Sequence, residues 1–212
     1  MKLIGMLDSP YVRRVAISMK LLGIQFEHLD WSVGKDFECI RQYSPLGRVP
    51  ALVLDDGDVL PDSTSMLDYL DEQAGPERAL LPPSGRERRE AMRVISLAIG
   101  AAEKGRDQMY EAVYRPPEKR HEPWVERCRM QMHGALSELE RTAARKRAAP
   151  WLVGGRLTQA DITVTCIFAL LSDALATTLE SVPYPMLRAH AAHCEALPEF
   201  LATRVKWSAP ST

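Results

Sequence analysis

The sequence has few cysteines, and their spacing excludes the usual metal and redox motifs. Four cysteines are spread over the 212 residues, with no Cys-x-x-Cys pair and no nearby histidine at the spacing of a zinc site. They are Cys39, Cys128, Cys166 and Cys194. We therefore expect reduced structural thiols, as in a cytosolic protein, and no bound metal.

The sequence also has no strong net charge and no long apolar run. The formal net charge is −1, and a nucleic-acid-binding module should have a basic balance or a basic stripe. The dense basic run at 141–147 is typical of the solvated end of a helix. No apolar stretch reaches membrane-spanning length, and the N-terminus turns polar at Asp8 before a secretory signal could form. We expect no nucleic-acid partner, no membrane association and a cytoplasmic location.

The first third of the chain alternates short apolar runs with helical patterns, which is typical of β-α units that feed a small sheet. The predicted strands are 2–7, 25–29, 50–54 and 59–60, the last two joined as a hairpin by Asp55-Asp56-Gly57. Between and after them lie helices that begin at Ser9-Pro10, span 37–43 and span 64–74.

The rest of the chain is predicted to be helical. Residues 75–85 contain three prolines and two glycines and interrupt every periodic pattern, so they indicate a linker. Helical spacing then covers 86–114, 123–147, 158–178 and 185–196, with a further short helix after Pro198. The sequence therefore predicts an α+β fold with domains at 1–76 and 86–212, joined by a linker at 77–85.

One helix start in the second domain is especially well marked. Thr158 and Asp161 form a variant of the capping box, and Leu157 and Ile162 stand where a hydrophobic staple would lie. Such a cap contributes about 1 kcal/mol to stability. This motif serves folding, and the apolar run that follows it predicts a buried central helix.

Three separated segments carry a resemblance to a known family. They are 9–15 (SPYVRRV), 45–52 (PLGRVPAL) and 60–70 (LPDSTSMLDYL), followed after the linker by 154–161 (GGRLTQAD). In this order and at these separations they resemble the cytosolic glutathione S-transferases, in particular bacterial enzymes of the serine type. The resemblance covers the whole chain. It implies a thioredoxin-like α/β domain with a mixed four-stranded sheet, then an all-helical bundle domain, assembled as a homodimer.

The resemblance also implies a catalytic residue. Ser9 would donate a hydrogen bond to the sulfur of glutathione and favour its thiolate, which is the nucleophile. The start of a helix supports this role, because free N–H groups and the helix dipole there stabilise an anion.

Five further residues would hold the tripeptide by resemblance. The Val49–Pro50 bond would be cis and would expose the Val49 backbone for strand-like pairing with the cysteinyl part. Asp62 and Ser63 would bind the ammonium and carboxylate of the γ-glutamyl end, and Arg48 the glycyl carboxylate. Seen singly, these residues are more typical of ordinary caps, a strand start and a solvated arginine; the segments together favour the functional interpretation.

The second substrate would lie between the domains. Tyr11, Tyr110 and Tyr114 are predicted to stack on it, although packing against the helical domain is an equal alternative. Tyr11 in place of Ser9 as the thiolate-stabilising group is a further alternative. Glu103 and Asp107 are either contacts to a partner subunit's glutathione or exposed helix acids.

The implied activity is transfer of glutathione to a small hydrophobic electrophile, by substitution or conjugate addition, with peroxidase activity as a side reaction and detoxification as the role. Glutathione is then the co-substrate and no metal is needed. One alternative is a non-catalytic scaffold on the same fold. Another is a thiol-disulfide oxidoreductase, which lacks the required cysteine at position 9.

Overall fold

The computed structural model of the chain describes residues 1–146 and 149–207. These residues form a small sheet with flanking helices and then a run of helices, so the predicted α+β class is confirmed. The elements of the first part are β1 Lys2–Ile4, α1 Pro10–Leu21, β2 Glu27–Leu29, α2 Phe37–Arg41, β3 Ala51–Val53, β4 Val59–Leu60 and α3 Ser63–Ala74. Those of the second are α4 Gly85–Tyr114, α5 Glu122–Arg145, α6 Gln159–Ala174, α7 Ala176–Glu180, α8 Pro185–Glu195 and α9 Pro198–Leu201.

The sheet is mixed and has four strands in the order β2-β1-β3-β4. β1 is parallel to β2, and the other two pairings are antiparallel. All four predicted strands are present, and three of them are shorter than predicted because the residues that flank them lie outside the paired register.

The register brings three chain segments together at one end of the sheet, where strand termini lie side by side. Ile4, the last residue of β1, is opposite Ala51, the first residue of β3. Leu60, the last residue of β4, is opposite Leu52. The loop after β1, the loop before β3 and the start of α3 therefore meet at the same end of the sheet.

The helical part is organised around α6, whose residues from 159 to 171 are all buried. Its capping box is present: Thr158 Oγ1 accepts from Ala160 N–H at 3.3 Å, and Asp161 Oδ2 accepts from Thr158 N–H at 2.8 Å. One prediction here is wrong. The helix expected over 158–178 ends at Ala174, because Leu175 has φ −126° and ψ 37°, and a separate α7 follows. The predicted end of the preceding helix near Arg147 lies outside the described residues.

The two parts pack against each other through α1 and α6. Ser18 Oγ lies 3.2 Å from Gln159 Nε2, and Arg14 Nη1 donates to Thr163 Oγ1 at 3.3 Å. The apolar core behind the sheet also includes Ile162 from α6. The two parts therefore share packing contacts and hydrogen bonds. The domain limits at 1–76, 77–85 and 86–212 stay a prediction. Among the described helices, none combines the length and apolar character needed to cross a membrane.

Candidate functional site

Most of the residues predicted to bind a ligand lie at the end of the sheet where β1 and β4 end and β3 begins. Ser9 follows β1, and Val49-Pro50 precedes β3. Asp62 and Ser63 follow β4 and open α3. Since each segment is tied to a strand end by the register, the fold fixes their mutual placement.

Ser9 is the N-cap residue of α1, with φ −72° and ψ 123°, as the sequence predicts. Its side chain, however, does not cap the helix: no helix N–H donates to its hydroxyl. Its main chain is engaged, because its N–H donates to Met6 O at 3.1 Å and its carbonyl accepts from Arg13 N–H at 2.9 Å. A serine at a helix start usually caps the helix with its side chain, but no hydrogen bond within the described residues uses the Ser9 hydroxyl.

The Val49–Pro50 peptide bond is cis. Val49 lies against the loop that follows β1: a Cβ at Gly5 would come within 2.7 Å of Val49 Cβ, and Gly5 has φ +129°, which favours glycine. Neither the N–H nor the carbonyl of Val49 takes part in the backbone hydrogen bonds of the described residues. Its main chain is therefore open to pair with an extended ligand.

Asp62 is the N-cap of α3, and here the side chain does cap. Its Oδ1 accepts from Thr64 N–H at 2.7 Å, while the residue as a whole is exposed. One carboxylate oxygen thus holds the helix start, and the negative charge remains at the surface of the site.

Ser63 is buried, with 2% of its surface exposed, and its hydroxyl accepts two hydrogen bonds from Arg14. The distances are 2.7 Å from Nη2 and 3.2 Å from Nε. Sequence reasoning did not identify Arg14 as part of the site. No local signal separates it from its neighbour Arg13, since both interrupt the apolar face of α1 and both are buried.

Of the predicted tyrosines, Tyr11 lies on α1, and Tyr110 and Tyr114 lie on α4. The side-chain oxygen of Tyr11 is buried without a hydrogen-bond partner in the described residues. Tyr110 and Tyr114 are 45% and 52% exposed and pack edge to face at 5.1 Å between ring centroids. The Tyr11 ring also packs against the apolar core of the helical part.

Charged side chains act on two of these tyrosines. Burial raises the pKa of Tyr11; Arg106 opposes that rise, Glu103 adds to it, and Arg14 and Arg48 oppose it further. Burial and Tyr114 raise the pKa of Tyr110, and Arg106 and Arg48 oppose that rise. The Arg106 guanidinium lies 5.9 Å from the Tyr110 ring. Arg106 was missed from the sequence, although the spacing of 106, 110 and 114 puts all three on one face of α4.

The remaining candidates on α4 are Asp107 and Glu103. Asp107 accepts from Lys104 at 3.0 Å and from Arg106 at 3.3 Å, while Glu103 is exposed. In the part of the chain that the structure describes, no group of three or more histidine, cysteine, aspartate or glutamate side chains is arranged to hold a metal ion.

Comparison with known proteins identifies the family. The model of the glutathione S-transferase N-terminal domain matches residues 3–78, and that of the glutathione S-transferase C-terminal domain matches residues 122–193. A curated relative, the "Uncharacterized GST-like protein YibF" of Escherichia coli (strain K12), is 31% identical over 140 residues, which cover 66% of this chain and 68% of that protein. The chain therefore belongs to the glutathione S-transferase family, and its sheet and helices are the thioredoxin-like and helical domains of that family.

Solved structures agree along the whole chain. A glutathione S-transferase from Methylobacterium radiotolerans, in complex with glutathione sulfonate, has a TM-score of 0.90 and 27% identity and covers 100% of this chain and 97% of its own. A family member from Pseudomonas fluorescens Pf-5, with bound glutathione, has a TM-score of 0.83 and 30% identity and covers 96% and 98%. The same Pseudomonas protein has also been solved with bound S-(propanoic acid)-glutathione.

Proposed function

We propose that this protein is a glutathione S-transferase that transfers glutathione to a small hydrophobic electrophile. The observation that carries the proposal is the Ser9 hydroxyl, which stands at the start of α1 without bonding to its own helix. Asp62 and Thr158, at two other helix starts, use their side chains as caps. An N-cap hydroxyl that leaves the helix N–H groups unpaired is free to serve a ligand.

The chemistry requires a thiolate at neutral pH. An unperturbed thiol has a pKa of about 8.5, and a helix N-terminus together with one hydrogen-bond donor can lower it by a unit or more. Ser9 would donate to the sulfur, while the start of α1 supplies the favourable dipole. The bound thiolate then attacks the electrophile, so Ser9 stabilises the nucleophile and does not itself form a covalent bond.

The tripeptide would lie across the end of the sheet where β1 and β4 end and β3 begins. Its cysteinyl main chain would pair with the free N–H and carbonyl of Val49, beside Pro50. Its γ-glutamyl end would meet the Ser63 hydroxyl and the exposed charge of Asp62. Arg48, which forms no ion pair in the described residues, would take the glycyl carboxylate. The glutathione bound in the Methylobacterium and Pseudomonas relatives, as its sulfonate in the former, supports the choice of ligand.

The electrophile would occupy the space beside Tyr11, Tyr110 and Tyr114. Half-exposed rings offer flat apolar surface for a small hydrophobic compound. Addition of a glutathione thiolate to an electrophile produces a thioether, the class of compound bound to the Pseudomonas relative. By the same family resemblance we infer a cytoplasmic homodimer with a role in detoxification and peroxidase activity as a side reaction.

The test is calorimetric titration of glutathione into the unmodified protein and into Ser9→Ala, with ultraviolet absorbance recorded for the bound thiolate. Ser84→Ala is a matched control, because Ser84 is the N-cap of α4 and its side chain makes no capping hydrogen bond either. We expect binding in all three proteins and a thiolate signal in all but Ser9→Ala. No binding to the folded, unmodified protein would refute the transferase function and favour a scaffold. An equal thiolate signal in Ser9→Ala would refute the role of Ser9.

A further inference from the structure

Two cations of α4, Lys104 and Arg106, share one carboxylate and use it unequally. Lys104 Nζ donates to Asp107 Oδ2 at 3.0 Å, whereas Arg106 Nη2 donates to Asp107 Oδ1 at 3.3 Å. Within residues 1–146 and 149–207 this is the one hydrogen bond of the Arg106 guanidinium, and the side chain is 31% exposed. A guanidinium has five N–H donors, so most of those of Arg106 remain available to a ligand.

The two cations also point in different directions. The Lys104 ammonium lies over the ring of Trp124, which belongs to α5, at 5.0 Å from its centroid. The Arg106 guanidinium lies 5.9 Å from the centroid of the Tyr110 ring, and that ring packs edge to face against Tyr114 at 5.1 Å. The half-exposed aromatic pair therefore has a partly exposed cation at one end.

Helix α6 sets the distance between this part of α4 and α1. A Cβ at Gly105, the residue before Arg106, would clash with Leu171 of α6, so the two backbones lie close together there. On another part of α6, the Gln159 side chain contacts Ser18 of α1, with Nε2 and Oγ 3.2 Å apart. Because α6 packs against both helices, the fold fixes Arg106 relative to α1.

The charge of Arg106 reaches the start of α1. Burial raises the pKa of Tyr11, and Arg106 opposes that rise with the largest effect of any charged side chain; Glu103 acts in the other direction. Glu103 is exposed, so water and salt screen its charge more strongly. Tyr11 lies in the first turn of α1, two residues after Ser9. The site proposed for the thiolate therefore has this cation as a neighbour.

An aromatic ring and a carboxylate on one rigid frame would use both features. A planar carboxylate matches the paired N–H groups of a guanidinium, and a flat ring packs on the faces of Tyr110 and Tyr114. We infer that the second substrate is a small aromatic electrophile bearing a carboxylate, and that Arg106 is the specificity-determining residue that binds this carboxylate. The inference rests on the proposed function, because it assumes that a glutathione thiolate forms at Ser9.

An aryl chloride is a suitable probe of this class. In the transfer step the thiolate sulfur forms a bond to the ring carbon that carries chlorine, and chloride leaves with the bonding electron pair. The carboxylate keeps its bonds and its charge throughout. Arg106 holds the ring by this group and takes no proton or electron pair.

The test compares 4-chloro-3-nitrobenzoate with 4-chloro-3-nitrobenzamide, which has nearly the same shape and no charge. For each compound kcat/KM is divided by the rate constant of its reaction with free glutathione, and the preference is the ratio of the two quotients. We expect the unmodified protein to prefer the benzoate and Arg106→Gln to lower this preference roughly twofold to fivefold. Arg93→Gln is the matched control, because Arg93 is a partly exposed arginine of α4 that pairs with Glu138 of α5 at 3.1 Å. This control should keep the preference.

Two further variants keep the inference testable if Arg106→Gln does not fold. Asp107→Asn removes the carboxylate that competes for Arg106, so the preference for the benzoate should rise. Arg106→Lys keeps the charge but not the paired N–H groups, so it should retain part of the preference. Added potassium chloride should reduce the preference in the unmodified protein, because the guanidinium is partly exposed.

The outcomes separate the inference from the proposed function. If calorimetric titration shows no binding of glutathione to the unmodified protein, the proposed function fails and the inference fails with it. If glutathione binds and Arg106→Gln slows both compounds by the same factor, Arg106 has a purely structural role and the inference alone is overturned. Transfer to neither compound, or a preference that does not rise in Asp107→Asn, would overturn it in the same way.

Discussion

Replacement of Asp161 by alanine should destabilise the protein far more than removal of an ordinary helix cap. The Asp161 side chain is fully buried and accepts from the N–H groups of Leu152 and Thr158 and from the Thr158 hydroxyl, each at 2.8 Å. Alanine would leave two buried backbone donors unpaired, at a cost of about 1–3 kcal/mol each. Burial raises the pKa of the Asp161 carboxyl, so its removal recovers part of a desolvation cost. We therefore expect a net loss of about 3 kcal/mol.

Urea unfolding followed by tryptophan fluorescence measures this loss. Asp62→Ala is the comparison, because Asp62 is an exposed N-cap with one backbone donor at 2.7 Å and should cost about 1 kcal/mol. Asp161→Asn keeps one acceptor oxygen and should fall between the two alanine variants. If Asp161→Ala costs no more than Asp62→Ala, the buried network does not support α6 in the way described.

Three further predictions test other parts of the molecule. Gly47 has φ +60°, and a Cβ there would clash with the half-exposed ring of Phe37, so Gly47→Ala should lower the free energy of unfolding by about 1 kcal/mol more than Gly23→Ala, at φ +71° in open space. Burial, with some help from Arg129, lowers the pKa of His133, so its stabilising contribution is complete above about pH 6.5 and is lost as the pH falls below that value. His133→Gln should therefore flatten the decline of urea midpoints below pH 6.5, and an unaltered slope would exclude this histidine as the cause. Arg106→Gln should lower kcat/KM for carboxylate-bearing electrophiles roughly twofold to fivefold relative to neutral ones, and an equal change for both classes would show that its charge does not reach the second substrate.

Features that depend on a few neighbouring residues could be predicted from the sequence. Thr158 and Asp161 mark a helix start through their own hydrogen bonds, and the Asp55-Asp56-Gly57 turn marks the hairpin that joins β3 to β4. The α+β order of elements follows from the change in hydrophobic period after residue 85. Because these signals are local, the structure agrees with them.

Features that depend on distant partners could not be predicted. The break at Leu175 has no glycine or proline to announce it, and the preceding turn is tied down from far along the chain: Asp173 accepts from Arg204 at 3.4 Å and from Trp207 N–H at 3.3 Å. The burial of Arg14 likewise depends on hydroxyls contributed by α3 and α6. An arginine in a helix is normally solvated, and the burial of Arg14 becomes apparent only when the two parts pack together.

The sharing of core residues between the two parts bears on how this protein can be recombined. Ile162 and Cys166 from α6 and Phe200 from α9 belong to the apolar core that also contains Leu3 and Leu52 of the sheet. If residues 1–84 were fused to the helices of a relative, the sheet would receive foreign side chains inside its own core. Exchange of substrate specificity by swapping helical domains should therefore succeed only when the side chains at these α6 and α9 positions are carried over with the sheet.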